Sequence, residues 1–479
     1  MKDSFNLSPI HRKIIYCLAL LVIILLFSEI GLRAIYYQRK AKYTSAVSAA
    51  LHLIKVKIRQ YNEIKDARQS PVGGPYKVIA EDFTGDGIID LALAYYPVGI
   101  LTIEQGDGKG NFMHLALNSV CEDCDSSYRG GIYNISSGDI DKDMLKDLII
   151  GCRGNFILVL KNMGDGKFKR MKLYRTESAA KGVKLADLNN DGILDLLYTA
   201  RGTGRQGDTS GGKLYIRQGM GQWSFGAAIY ADAGKSAYYV ETADLNGDEY
   251  LDILVPNELS TKVSYWINLG KDIFSPPYAE ISRLEAEIGA EVPIIPGFHL
   301  DHRQRRILQT SRKKINDVGV ADFNGDGHKD VVTANWESDN ISVFLWNGES
   351  FHEDQLLPGG PNCAFMAVGD LDNDGDQDFV ATNWTEDFLS IFLNKGKGEF
   401  APRKEYKTAL GNYGVTIFDS DGDGSLDIVT ANFMARSISI LKGRGDGTFD
   451  PANTIPNGFQ KEGNSWVREK TRKSSTYGR

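Results

Sequence analysis

The stretch Asp322-Phe323-Asn324-Gly325-Asp326-Gly327-His328-Lys329-Asp330 carries aspartate at its first, fifth and ninth positions, an amide at the third and glycine at the sixth. Six other segments repeat this pattern: DFTGDGIID from Asp82, DIDKDMLKD from Asp139, DLNNDGILD from Asp187, DLNGDEYLD from Asp244, DLDNDGDQD from Asp370 and DSDGDGSLD from Asp419. The shortest interval, the 48 residues from Asp139 to Asp187 or from Asp322 to Asp370, suits one four-stranded propeller blade. Each copy runs into a short apolar stretch, such as DVVTAN from Asp330 or DIVTAN from Asp427. A second strand-like stretch follows and ends in a glycine-rich turn and a phenylalanine, as in SIFLNKGKGEF from Ser390. Short apolar runs bounded by Gly, Asn and Asp read as antiparallel hairpins. The expected fold is therefore all-β: a seven-bladed propeller of four-stranded antiparallel blades over residues 71–458, with an insertion at 275–312.

The acidic loops have a coordination logic. Calcium takes six to eight oxygens, and side chains at positions 1, 3 and 5 of a tight turn converge on one point. Position 7 offers a carbonyl and position 9 closes the cage. The expected ligands are Asp82, Thr84, Asp86 and Asp90; Asp139, Asp141, Asp143 and Asp147; Asp187, Asn189, Asp191 and Asp195; Asp244, Asn246, Asp248 and Asp252; Asp322, Asn324, Asp326 and Asp330; Asp370, Asp372, Asp374 and Asp378; and Asp419, Asp421, Asp423 and Asp427. A solvated acidic turn is the alternative for any single copy. Seven copies in register point to up to seven structural Ca2+ ions, because clustered carboxylates repel one another without a cation. The loops at Asp139, Asp370 and Asp419 carry aspartate at all four ligand positions, 1, 3, 5 and 9, whereas Thr84 weakens the first. Met144 and Glu249 stand where glycine is wanted, which puts those two turns in question.

These residues resemble the FG-GAP/VCBS repeat, the calcium-bearing propeller unit of integrin alpha chains and many bacterial surface proteins. The resemblance implies the propeller and the metal. It leaves the activity open, because related propellers act as adhesion modules, lectins, assembly scaffolds and polysaccharide lyases.

The chain of 479 residues has a net charge of −7, which argues against nucleic-acid binding. Five cysteines are too few for a disulfide scaffold. Ile14 to Leu32 is apolar apart from Ser28 and Glu29, and its 19 residues suffice to cross a bilayer. A cleaved signal peptide is the rival reading, but a small-x-small cleavage site is hard to find. The expected order is a cytoplasmic N-terminus at 1–13, a single-pass transmembrane anchor at 14–35, a helical stalk at 36–70, the propeller, and a basic disordered tail at 459–479. Basic residues flank the apolar run on both sides, so orientation rests on the loops. Weak calcium sites fill outside the cytosol, which puts the propeller on the extracytoplasmic side of the cell membrane.

If strands alternate direction, the acidic loops and glycine turns share one face of the disc. The loops after the second strands lie on the other, with the connections between blades. Those loops carry Tyr95, Tyr96 and Arg201, and the pairs Asn335-Trp336, Asn383-Trp384 and Asn432-Phe433, an aromatic beside an amide that suits sugar contact. Capping the strands or packing between blades is the alternative for these aromatics. Two long connections, one with Cys121 and Cys124 and one over 275–312 with Arg303, Arg305 and Arg306, are expected on that same face. The sequence shows no acid–base pair outside the metal loops. The expectation is a non-catalytic module for a glycan or an envelope or extracellular protein partner; the alternative is a lyase or hydrolase acting on polysaccharide.

Overall fold

The computed structural model describes residues 74–96, 98–120, 131–202, 211–268, 270, 305–309, 314–462 and 465–468. Seven four-stranded sheets follow one another along the chain, and each takes its four strands consecutively. In the first blade they are Pro75–Glu81, Asp90–Tyr95, Ile100–Gly106 and Phe112–Ser119. All pairs within a blade are antiparallel. The first strands of the other blades are Ile132–Gly138, Ala180–Ala186, Glu241–Ala243, Ile315–Ala321, Cys363–Gly369 and Asn412–Phe418.

Position within the blade explains composition. Every residue of the second strands is buried, among them Leu91 to Tyr95, Leu148 to Cys152 and Ile428 to Asn432. These strands have neighbouring sheets on both faces, so they read as continuous apolar runs. The fourth strand lies at the rim, and FKRMKLYR over Phe168–Arg175 is mostly exposed. Among the described residues, the phenylalanine after the glycine turn packs between blades: Phe168 lies 6.1 Å from Phe83, and Phe400 5.6 Å from Phe323.

The first strands lie side by side around the axis. A Cβ on Gly414 would stand 2.9 Å from the Cα of Lys77, and one on Gly182 2.8 Å from the Cα of Tyr239. The ring closes without strand exchange. Gly74 N–H donates to the Phe433 carbonyl (2.9 Å), Gly110 N–H to that of Ser420 (3.1 Å), and Asn457 Nδ2 to Glu104 Oε1 (3.2 Å).

Two expectations change. The fourth strand of blade 4 is Arg305–Gln309, paired with Lys262–Trp266. The chain between Trp266 and Arg305 therefore joins a third strand to a fourth, and the two strand ends it connects stand on the acidic-loop face, not the opposite one. Five residues rich in arginine read as loop, yet a rim strand tolerates charge because one face meets water. The tail expected to lack order opens with a hairpin, Phe459–Glu462 against Ser465–Arg468. The anchor and stalk at 14–70, Cys121 and Cys124, and most of the insertion lie outside the described residues. No helix among the described residues is long and apolar enough to cross a membrane.

Candidate functional site

The seven acidic loops share one construction. The first aspartate accepts backbone N–H groups from its own turn: in the fifth loop Asp322 Oδ1 takes Gly325 (2.7 Å) and Asp326 (3.2 Å), and Oδ2 takes Gly327 (2.8 Å). The sixth residue sits at positive φ in every loop, and Met144 (φ 73°) and Glu249 (φ 69°) adopt the conformation glycine supplies elsewhere. Both questioned turns therefore close, with Met144 N–H on Asp139 Oδ2 (2.8 Å) and Glu249 N–H on Asp244 Oδ2 (2.9 Å).

The ninth aspartate has a duty that the ligand argument missed. Asp90, Asp147, Asp195, Asp252, Asp330, Asp378 and Asp427 are all buried. Each carboxylate bridges the second residue of its loop to the end of the third strand. Asp330 accepts from Phe323 N–H (2.9 Å) and Trp346 N–H (2.9 Å), and Asp378 from Leu371 (2.8 Å) and Asn394 (2.6 Å). Burial raises these carboxyls, against the lowering effect of the backbone donors. Asp147 and Asp330 are pushed up to about 6, and Asp195, Asp252 and Asp378 to about 7, with the neighbouring aspartates adding to the rise.

The residues fit a cation. Three carboxylate oxygens gather within 4.8 Å of one another in Asp139, Asp141 and Asp147, in Asp370, Asp372 and Asp374, and in Asp419, Asp421 and Asp427. These are the three loops with aspartate at all four ligand positions. In each, one oxygen of the third residue (Oδ1 of Asp141, Asp372 and Asp421) is buried without a hydrogen-bond partner. Such oxygens suit a hard divalent ion. Two loops also meet an ammonium: Lys161 Nζ reaches Asp141, and Asp143 Oδ2 at 2.6 Å, while Lys442 Nζ lies 2.8 Å from Asp421 Oδ2.

The opposite face is built from two rings of equivalent positions. The residues just after the second-strand pairing are Tyr96, Arg153, Arg201, Glu258, Trp336, Trp384 and Phe433. The inner ring, one residue past the first pairing of each blade's first segment, is Tyr76, Tyr133, Lys181, Tyr238 (after the Ala237–Asn257 bridge), Asn316, Ala364 and Tyr413. A register shift there in most blades turns this end of the strand toward the axis. Tyr76, Tyr238 and Tyr413 meet by their hydroxyls, Tyr238 to Tyr413 at 2.9 Å. Beneath them Lys77 Nζ lies 5.6 Å from the ring of Tyr239 and 5.4 Å from that of Phe365. Burial lowers the Lys77 ammonium, and burial also raises Asp317 to about 6 although Lys77 pulls it down.

This geometry corrects the expected sugar contacts. Asn335, Asn383 and Asn432 are fully buried, and their Nδ2 groups donate to Ser342, Ser390 and Ser439 Oγ at 3.2, 3.0 and 2.8 Å. They clamp the hairpin between second and third strands. Trp384 and Phe433 are buried beside the axial tyrosines, and Trp336 packs against that cluster half-buried. The open part of the outer ring is its charged part, in blades 2 to 4. There Arg153 lies 5.8 Å from the ring of Tyr96, and Arg201 pairs with Glu258 at 2.9 Å.

The FG-GAP-like repeat family matches residues 139–198, 322–381 and 370–430, each match opening on the first aspartate of a loop. These are FG-GAP-like repeats. The FG-GAP loops at Asp139, Asp322 and Asp370 thus stand on sequence as well as on shape. No curated protein matches the chain in sequence. Among solved structures, BBS1N in complex with ARL6DN, soaked with mercury, is 12% identical with a TM-score of 0.49, covering 77% of this chain and 91% of that one. A functionally unknown protein from Desulfotomaculum acetoxidans is 11% identical with a TM-score of 0.46, covering 81% and 100%.

Proposed function

We propose that this protein is a membrane-anchored FG-GAP propeller displayed outside the cytoplasm. Calcium stiffens the loops of one face, and the opposite face binds a glycan or an envelope partner without chemical change. The observation that carries this reading is the division of labour between faces. One is given to seven near-identical acidic turns. The other varies residue by residue at equivalent positions, from Arg153 and Glu258 to Trp384. Scaffolds place recognition where loops are free to vary. Asp139, Asp141 and Asp147, with the corresponding residues of the other loops, would hold the ion. A bound cation neutralises the repulsion that burial and crowding impose on these carboxyls, and so stabilises the folded state by linkage.

The test uses the full-length chain in detergent, with calcium or with chelator, and a panel of neutral and acidic polysaccharides. Retention of a polymer at unchanged length, together with a melting temperature that drops on chelation, is expected. Shortened polymer would make the protein an enzyme and overturn the non-catalytic reading. A melt indifferent to chelator would remove calcium from it.

A further inference from the structure

The geometry points to a carboxylate-binding subsite at the axial mouth between blades 1 and 4, built by Lys181, Arg153, Tyr96 and Tyr133 for an acidic sugar. This inference rests on the binding reading above. Lys181 is only 8% exposed. Its Nζ lies 3.5 Å from the ring centroid of Tyr133 and 5.1 Å from that of Tyr238. The Lys181 side chain makes no hydrogen bond or ion pair among the described residues. The nearby carboxylate that acts on it, Glu258, is engaged elsewhere, by Arg201 at 2.9 Å and Ser236 Oγ at 3.0 Å. Three cations, Arg153, Lys181 and Arg201, therefore face one anion, in a protein whose net charge is −7. A buried ammonium held only by ring faces is costly, and an incoming carboxylate would complete it.

The platform beside the cations selects the kind of carboxylate. Tyr96 and Tyr133 stack at 5.2 Å with planes 24° apart, both half-buried, and Arg153 stands exposed over Tyr96. A uronate offers a flat C–H face to such rings and a carboxylate at its edge, so one residue of an acidic chain satisfies both. An acidic peptide would satisfy the cations and leave the rings unused.

Surface plasmon resonance with the full-length protein in detergent tests this, using polygalacturonate, neutral dextran and polyglutamate as probes. The wild type is expected to hold polygalacturonate. Lys181→Met and Arg153→Gln are each expected to weaken it at least tenfold. Lys181→Met removes a buried charge at similar volume, and Arg153 is exposed, so both should fold, with a melting temperature no lower than wild type as the control. Unchanged affinity in both variants overturns the subsite. Equal capture of polyglutamate overturns the sugar assignment. Capture of dextran alone sinks this inference but spares the binding reading, whereas capture of no polysaccharide sinks the subsite and the glycan form of that reading.

Discussion

Lys442 places its Nζ 2.8 Å from Asp421 Oδ2, in the seventh acidic loop, and donates as well to the Lys109 carbonyl of blade 1 at 2.7 Å. A side-chain cation thus stands at one of the carboxylates expected to hold calcium. Lys161 does the same in the second loop, bonding Asp141 and Asp143. The corresponding residue is Leu345 in blade 5 and Leu393 in blade 6, which cannot compete. Lys161→Met and Lys442→Met are therefore expected to tighten calcium at their loops. Equilibrium dialysis with metal analysis should show one more ion per variant at sub-saturating calcium. An unchanged count would mean that the lysines swing aside without cost.

Met144 and Glu249 hold φ near +70°, a region that costs a side-chain-bearing residue roughly 1 kcal/mol or more relative to glycine. Met144 is also 89% exposed, so it returns no packing energy. Met144→Gly and Glu249→Gly should each stabilise the propeller by about 0.5–1 kcal/mol after the extra unfolded-state entropy of glycine. The measurement is the urea midpoint at constant m-value. A loss of stability would show that the turn depends on these side chains.

The blade count and the acidic loops were legible because each loop's hydrogen-bonded turn requires fixed residue types at fixed offsets, and a turn cannot shift them. The packing of the opposite face was not. Asn383 beside Trp384 looks the same whether it meets a sugar or clamps a hairpin. The deciding signal was a serine seven residues on, repeated as Asn335 with Ser342, Asn383 with Ser390 and Asn432 with Ser439. Lys181 carried no local signal, since its neighbours Tyr133, Tyr238 and Glu258 come from other blades. The strand at Arg305–Gln309 was hidden because its pairing partner precedes it by a long insertion.

Gly414 marks the seam where the ring closes. A Cβ there would lie 2.9 Å from Lys77 Cα, 3.0 Å from the Tyr76 carbonyl oxygen and 3.0 Å from Val78 N, all backbone atoms that cannot swing away. Gly414→Ala should force the first and last blades apart, at about 1–3 kcal/mol for overpacking. Hydrogen exchange should then speed up at the amides joining them, Gly74 and Gly110. Gly375→Ala in the sixth loop, where no atom lies within 4 Å, should cost only its positive φ and leave the seam protected. Equal exchange at the seam in both variants would refute the steric account.

Lys181 also sets a pH dependence. Burial pushes its ammonium down from 10.5 to about 7, against the pull of Glu258 and with the push of Arg201 and Arg153. Tyr133 and Tyr238, which face it, are themselves raised by burial and stay neutral through this window. The sign follows from proton counting. Between about pH 7 and 10.5 the unfolded chain binds a proton at Lys181 that the folded chain has released. Stability from this group therefore rises with pH across that interval, and below pH 7 the full cost of burying the charge is felt. Lys181→Met should remove that cost, raising stability near pH 6 by on the order of a few kcal/mol and much less near pH 10. Thermal melts of wild type and variant across pH 6 to 10 decide it. Parallel curves would mean that Lys181 stays charged in the fold, held by its aromatic neighbours alone.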